Sequence, residues 1–221
     1  MLRLKLVIAN KNYSSWSMRA WVLLRELGID FEEVPLEFSP DVSVIGIERY
    51  SAVGKVPVLI SDGEPVWDSL AICETVAELF PEKRIWPSGK RARQVARSVC
   101  AEMHSGFQAL REACPFNARA RNRKVPMTPE LDADVRRIDE MWADCRRLYG
   151  RAGRWLFGHY SIADAMYASV VLRFNTYGAK LSPPAREYLD TALADPPLIA
   201  WVRAAESDPY RVESIDAVGR T

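Results

Sequence analysis

Apolar positions along the first eighty residues switch between two periods. Leu4 to Ala9, LKLVIA, is a short β-branched-containing run that predicts a strand. From about Trp16 to Leu27 apolar residues recur at helical steps, and Gly28 supplies a good C-terminal stop. Phe31 to Leu36 reads as a second strand, and Asp41 to Tyr50 as an irregular, weakly helical stretch. In VPVLISDGEPVW the Asp62-Gly63 pair divides two apolar runs, a strong hairpin signal. Ser69 to Phe80 predicts a helix with Leu70, Cys73, Val76, Ala77 and Phe80 on one side. The order β-α-β-α-β-β-α joins a parallel βαβ unit to an antiparallel hairpin, which implies a mixed sheet covered by helices.

After Pro81 the strand signals stop. PEKRIWPSGK carries prolines and a glycine and reads as a linker over 82–90, between an α/β domain at 1–81 and an all-helical one at 91–221. Arg91 to Ala113 predicts one long helix. Glu130 to Tyr149 predicts another, with Leu131, Val135, Ile138, Met141, Trp142, Cys145 and Leu148 at steps of three and four. Ile162 to Thr176 is apolar nearly all round, as a buried central helix would be. Pro183-Pro184 and Pro196-Pro197 each fit a helix start. Ser161 and Asp164 form a capping-box pattern, with Asp in place of Glu, that belongs to folding and not to catalysis. The tail RVESIDAVGRT shows no packing face.

Composition narrows the function classes. Of 221 residues 48% are hydrophobic, enough for a real core. Thirty basic residues against 29 acidic ones give a formal charge of +1, so no global field draws nucleic acid or an anionic membrane. No apolar run is long enough for a membrane span, and the N-terminus lacks the pattern of a signal peptide. Cys73, Cys100, Cys114 and Cys145 form no C-x-x-C pair, and His104 and His159 are the only histidines. They fit reduced core thiols of a cytoplasmic protein better than a zinc site or a disulfide framework.

The candidate chemistry lies in four motifs. SSWSMRAWVLLRELGIDFEEVPL crowds three serines at the start of the first helix; GKVPVL sets a Val-Pro turn before a strand; WDSLAICETVAELFP opens a helix with an Asp-Ser pair; GHYSIADAMYAS precedes and enters the central helix. In this order, over nearly the whole chain, they resemble the glutathione transferase superfamily, in its serine-type zeta and tau forms. The resemblance implies an N-terminal thioredoxin-like domain with a mixed four-stranded sheet, an all-α C-terminal domain, a homodimer, and glutathione as cosubstrate for a small electrophile.

In the register of the zeta motif Ser14 takes the catalytic position. Ser15 is the next candidate, and Ser17 looks like a first-turn residue. Ser is a favoured N-cap, so the cap is the alternative reading for Ser14, an even one for Ser15 and the preferred one for Ser17. The resemblance further implies that Asp68 and Ser69 hold the γ-glutamyl end of glutathione, and that a cis Val56-Pro57 peptide presents the Val56 backbone to its cysteinyl part. It would pair Lys55 with the glycyl carboxylate, although an exposed loop lysine is as good a reading. Trp16, Phe38, Met103, His104 and Phe107 are candidates for lining the second-substrate cleft, each also readable as ordinary core or surface. Arg19 is readable as a structural ion-pair partner. Arg119, Arg121, Arg123 and Lys124 fall in a basic loop that is either a lure for an anionic substrate or a solvated run.

A serine is chemically sufficient for such a site. A free thiol of this type has a pKa near ~8.5, and lowering it by about two units needs roughly 2.7 kcal/mol in favour of the anion. One hydrogen bond to a charged acceptor supplies about 1.5–3 kcal/mol, and a helix N-terminus adds about 0.3–1 kcal/mol. Three readings stay open: a transferase; a glutathione-dependent cis-trans isomerase of maleylacetoacetate type, which Trp16 disfavours by standing where those members carry a small cysteine; and a non-catalytic glutathione-binding or interaction protein.

Overall fold

The computed structural model describes residues 3–39 and 43–220. Its N-terminal part is a four-stranded sheet: β1 (Leu4–Ala9), β2 (Glu32–Leu36), β3 (Val58–Ser61) and β4 (Glu64–Val66), in the order β2-β1-β3-β4. β1 runs parallel to β2 and antiparallel to β3, with Val7 opposite Val34 on one side and Val58 on the other. β3 and β4 close the expected hairpin around Asp62 and Gly63, both at positive φ. Each edge strand carries a proline, Pro35 in β2 and Pro65 in β4, where a missing N–H costs no ladder bond and discourages further pairing.

Leu4, Leu6, Ile8 and Leu59 turn one face of the sheet into the main core, against α1 (Ser15–Glu26) and α2 (Ser69–Leu79). Val7 and Val58 form a smaller cluster with Ile47. Ile47–Arg49 is a single 3₁₀ turn within the stretch expected to be weakly helical; Asp41 and Val42, at its start, lie outside the described residues.

The remainder is helical: α3 (Lys90–Ser105), α4 (Gln108–Ala113), α5 (Pro129–Tyr149), α6 (Ile162–Tyr177), α7 (Pro183–Leu193), α8 (Pro196–Ser207) and a short α9 (Glu213–Asp216). α6 is buried almost all round, as its composition requires, and packs on α1, α3 and α7. This places α1, and the serine motif at its start, against the central helix of the helical region. Asp164 begins α6 by accepting from Ser161 N (2.8 Å) and Ser161 Oγ (2.9 Å), with its other oxygen on Leu156 N (3.2 Å). The prolines start α7 and α8 as expected. The four cysteines are free and buried. No helix among the described residues is long and apolar enough to cross a membrane.

Two expectations are corrected. The helix expected over Arg91–Ala113 breaks at Gly106 and Phe107, the latter at φ 60°. A β-carbon on Gly106 would lie 2.8 Å from the Glu102 carbonyl, and Arg111 caps the broken end by donating to the Gly106 and Met103 carbonyls. Asp134 from α5 then accepts the Leu110 N–H and anchors α4. The tail does pack. Asp216 of α9 is only 4% exposed and takes hydrogen bonds from Tyr13 Oη (3.0 Å) and Asn117 Nδ2 (2.7 Å). The packing signal was invisible because it is polar and its partners lie in the serine loop and the α4–α5 loop.

Candidate active site

The serine motif is the turn from β1 into α1. Ser14 is the N-cap: its Oγ accepts from Ser17 N (3.4 Å) and donates to Ser17 Oγ (2.7 Å). Ser17 Oγ in turn accepts from Ala9 N (3.2 Å), so a fully buried hydroxyl ties the last residue of β1 to the helix. Ser17 is therefore more than a first-turn residue. Ser15 is also buried, and among the described residues its hydroxyl makes no hydrogen bond. Ahead of the serines, Tyr13 Oη accepts from Val212 N (3.0 Å) and Arg119 Nη2 (2.6 Å), so the tail grips the serine loop. Burial raises the Tyr13 phenol above its ordinary range and keeps it a neutral hydrogen-bonding group. Arg119 also meets Asp216 at 3.3 Å, and Arg121 donates to the Ala118 and Ala120 carbonyls. Within the basic run these two arginines are tied into the fold, Arg121 also pairing with Glu206 at 3.5 Å.

At the start of α2, Asp68 Oδ1 accepts from Leu70 N (3.0 Å), while Oδ2 lies 2.9 Å from His104 Nε2 of α3. Ser69 is fully buried. Arg19, fully buried too, directs Nη1 at Ser69 Oγ (3.5 Å) and lays its guanidinium over the Trp16 ring at 4.3 Å. Among the described residues it has no carboxylate partner, which corrects its reading as half of an ion pair; its Nε and Nη2 are buried without partners. Burial, then the neighbouring charges of Arg111 and Arg173, lower its pKa to about 9, so it stays cationic at neutral pH. The ring of Trp16 also lies under Arg111 (5.0 Å) and meets His104 edge-on (5.3 Å). Two motifs fifty positions apart are thus bridged twice, through Arg19 and Ser69 and through Trp16, His104 and Asp68.

The Val56-Pro57 peptide is cis, as the resemblance implies, immediately before β3. Lys55 beside it is exposed. Trp16 of α1 and His104 of α3 sit together, but Met103 and Phe107 are core residues. Phe38 instead lines a groove of about 650 Å³ with Asn10, Leu36, Pro209 and Tyr210; none of Trp16, Met103, His104 or Phe107 borders it. The expected five-residue cleft wall is therefore split.

The model of the glutathione S-transferase N-terminal domain matches residues 13–79, the span from the serine loop through α2. Rat maleylacetoacetate isomerase is 26% identical over 81% of this chain and 83% of its own length. The zeta-class glutathione S-transferase of Euphorbia esula is 27% identical over 66% of this chain and 64% of its own. The chain is thus similar to glutathione S-transferases, in its N-terminal part by the domain model and over most of its length by these relatives. Solved structures of the superfamily share its fold: a glutathione transferase homologue from Burkholderia GL BGR1 with bound glutathione aligns with a TM-score of 0.70 at 22% identity, over 93% of this chain and all of that one. The tau-class enzyme of mango, Mangifera indica, gives 0.68 at 21% identity, over 92% and 96%. In this chain the thioredoxin-like sheet and the helical region together frame the serine loop.

Proposed function

We propose that this chain is a glutathione transferase in which the Ser14 hydroxyl stabilises the glutathione thiolate for attack on a small electrophile. The observation that carries the reading is the Ser14–Ser17 hydroxyl pair at the head of α1. A hydroxyl rotates to suit its partners. When sulfur arrives, Ser14 turns its proton towards it and Ser17 reverses to donate to Ser14. The 2.7 Å separation serves either direction. Ser17 then polarises Ser14, and the two bonds strengthen one another. The α1 N-terminus adds its partial positive charge. Ser15, at the first helical position, is the second candidate donor.

The rest of the cosubstrate is placed by the same reading. Asp68, about half exposed, receives the γ-glutamyl ammonium, and the N-terminus of α2 receives the neighbouring carboxylate. Buried Ser69, with Arg19 against it, supports that end from beneath. Val56 and Pro57 present a backbone edge to the cysteinyl segment, and Lys55 pairs with the glycyl carboxylate. The domain division at 81 and 91 lets the electrophile enter between the serine loop and α3, in a cytoplasmic homodimer. A second reading, glutathione-dependent isomerisation of an unsaturated dicarboxylate, draws support from the rat isomerase.

Product analysis with an aryl or alkyl halide and with a maleyl-type substrate tests the function. A glutathione conjugate from the first supports transfer, and isomer formation without net glutathione loss supports the second reading. Neither product, with no binding of glutathione, defeats both.

A further inference from the structure

His104 belongs to α3, yet its ring touches both ends of the site described above. Nε2 is 2.9 Å from Asp68 Oδ2, and the ring meets Trp16 edge-on at 5.3 Å and 81°. Trp16 is adjacent in sequence to the Ser14-Ser15 pair. The imidazole is only 26% exposed, and its Nδ1 is buried with no partner. Asp68 is thereby held at both oxygens: the Leu70 N–H fixes Oδ1 and the histidine fixes Oδ2. An ionised carboxylate offers about four acceptor sites. Two occupied sites fix its plane and leave two for an incoming ammonium.

We propose that His104 is a positioning residue for glutathione, orienting Asp68 towards the γ-glutamyl ammonium from the helical domain. The inference rests on the placement of that ammonium given under the proposed function. It separates two properties of the site. The sulfur is served by the hydroxyls at α1, which His104 does not touch. The γ-glutamyl end is served by Asp68, which His104 holds. Loss of His104 therefore weakens capture of glutathione and leaves the captured thiol as easily ionised as before. The pair is partly exposed, so its effect is that of a half-screened contact, a three- to tenfold change in affinity, roughly.

The test is glutathione titration by calorimetry together with steady-state kinetics on the full-length protein. His104→Ala is expected to raise Kd and KM for glutathione about three- to tenfold, with kcat at saturating glutathione within about twofold of wild type. His104→Gln, whose amide keeps a donor near the Nε2 place, is expected to recover most of the affinity. In an Asp68→Asn background, His104→Ala is expected to add nothing further. The proposal is overturned if His104→Ala leaves Kd unchanged or tightens it, if Gln is no better than Ala, if kcat falls with KM constant, or if the two substitutions act additively. Wild-type protein that fails to bind glutathione at all defeats the underlying placement instead, and calorimetry on that protein alone tells the two failures apart.

Discussion

At Ser14 one oxygen accepts from the Ser17 N–H and gives its proton to a neighbouring hydroxyl, so its loss has two consequences that different measurements separate. Ser14→Ala is expected to lower thermal stability by about 1 kcal/mol as a lost helix cap. It is also expected to lower kcat/KM about 10- to 100-fold as a lost bond to an anion. Ser15→Ala, which removes no hydrogen bond among the described residues, is expected to keep both near wild type. The opposite ranking would shift the donor by one position. A second residue-scale effect concerns pH. Burial, then the charge of Glu26, pushes the Asp195 carboxyl up to about 7, and burial pushes Asp164 up to about 6. Between about pH 4 and these values the folded protein holds protons that the unfolded chain has released, so stability falls as pH rises through that window. Melting temperature should be higher near about pH 5 than about pH 8, and Asp195→Asn should flatten the difference. A melting curve that rises with pH, or an unaltered slope in the variant, would contradict this. The serine cap and the Asp-Ser helix start were legible because those residue types favour helix N-termini, whereas the cis Val56-Pro57 peptide followed from the family resemblance and not from the dipeptide. The partners of Arg19 and His104 were not legible, because a lone polar side chain shows none until the chain folds.

Most elements could be read because apolar period, caps and turn residues agreed. β1 and the Asp62-Gly63 hairpin fall where the pattern places them, and α5 and α6 start within one residue of it. Reading failed where one residue's sterics or a distant polar partner decides. Nothing in the periodicity of 91–113 marks Gly106, which ends the helix in a conformation that leaves no room for a β-carbon against the Glu102 carbonyl. Gly106→Ala is accordingly expected to destabilise by about 1–3 kcal/mol, measured by chemical denaturation, unlike an ordinary solvent-facing helix glycine, where Ala stabilises. The tail is the second case. Residues 211–220 contribute Asp216 to a cluster with Tyr13, Asn117 and Arg119, and Val212 N donates to Tyr13 Oη. Truncation after Tyr210 is expected to unclamp the serine loop, leaving a folded protein by circular dichroism with activity reduced at least tenfold, roughly. Full activity in the truncated chain would show that the loop holds its geometry unaided.

Over the whole molecule the arrangement has one consequence. α1 is shared: its start carries the serines, and its length packs against α6 at the middle of the helical part. The proposed donor therefore sits on an element packed against both the sheet and the helical region, so the proposal expects little reorganisation as charge gathers on a bound sulfur. The mixed sheet and the helical remainder followed from the order of periods along the chain. The split of the expected cleft wall, with Phe38 in a separate groove from Trp16 and His104, did not, because it depends on how the two parts meet. The central claim is that this clamped hydroxyl makes the glutathione thiolate stable near neutral pH. The direct measurement is an ultraviolet thiolate titration of the glutathione complex, in wild type and in Ser14→Ala. A bound thiol in wild type with a pKa about two units below that of free glutathione, moving back towards the free value in the variant, is the predicted result. A bound thiol that titrates as it does in buffer, or one whose depressed pKa survives the loss of Ser14, would contradict the account.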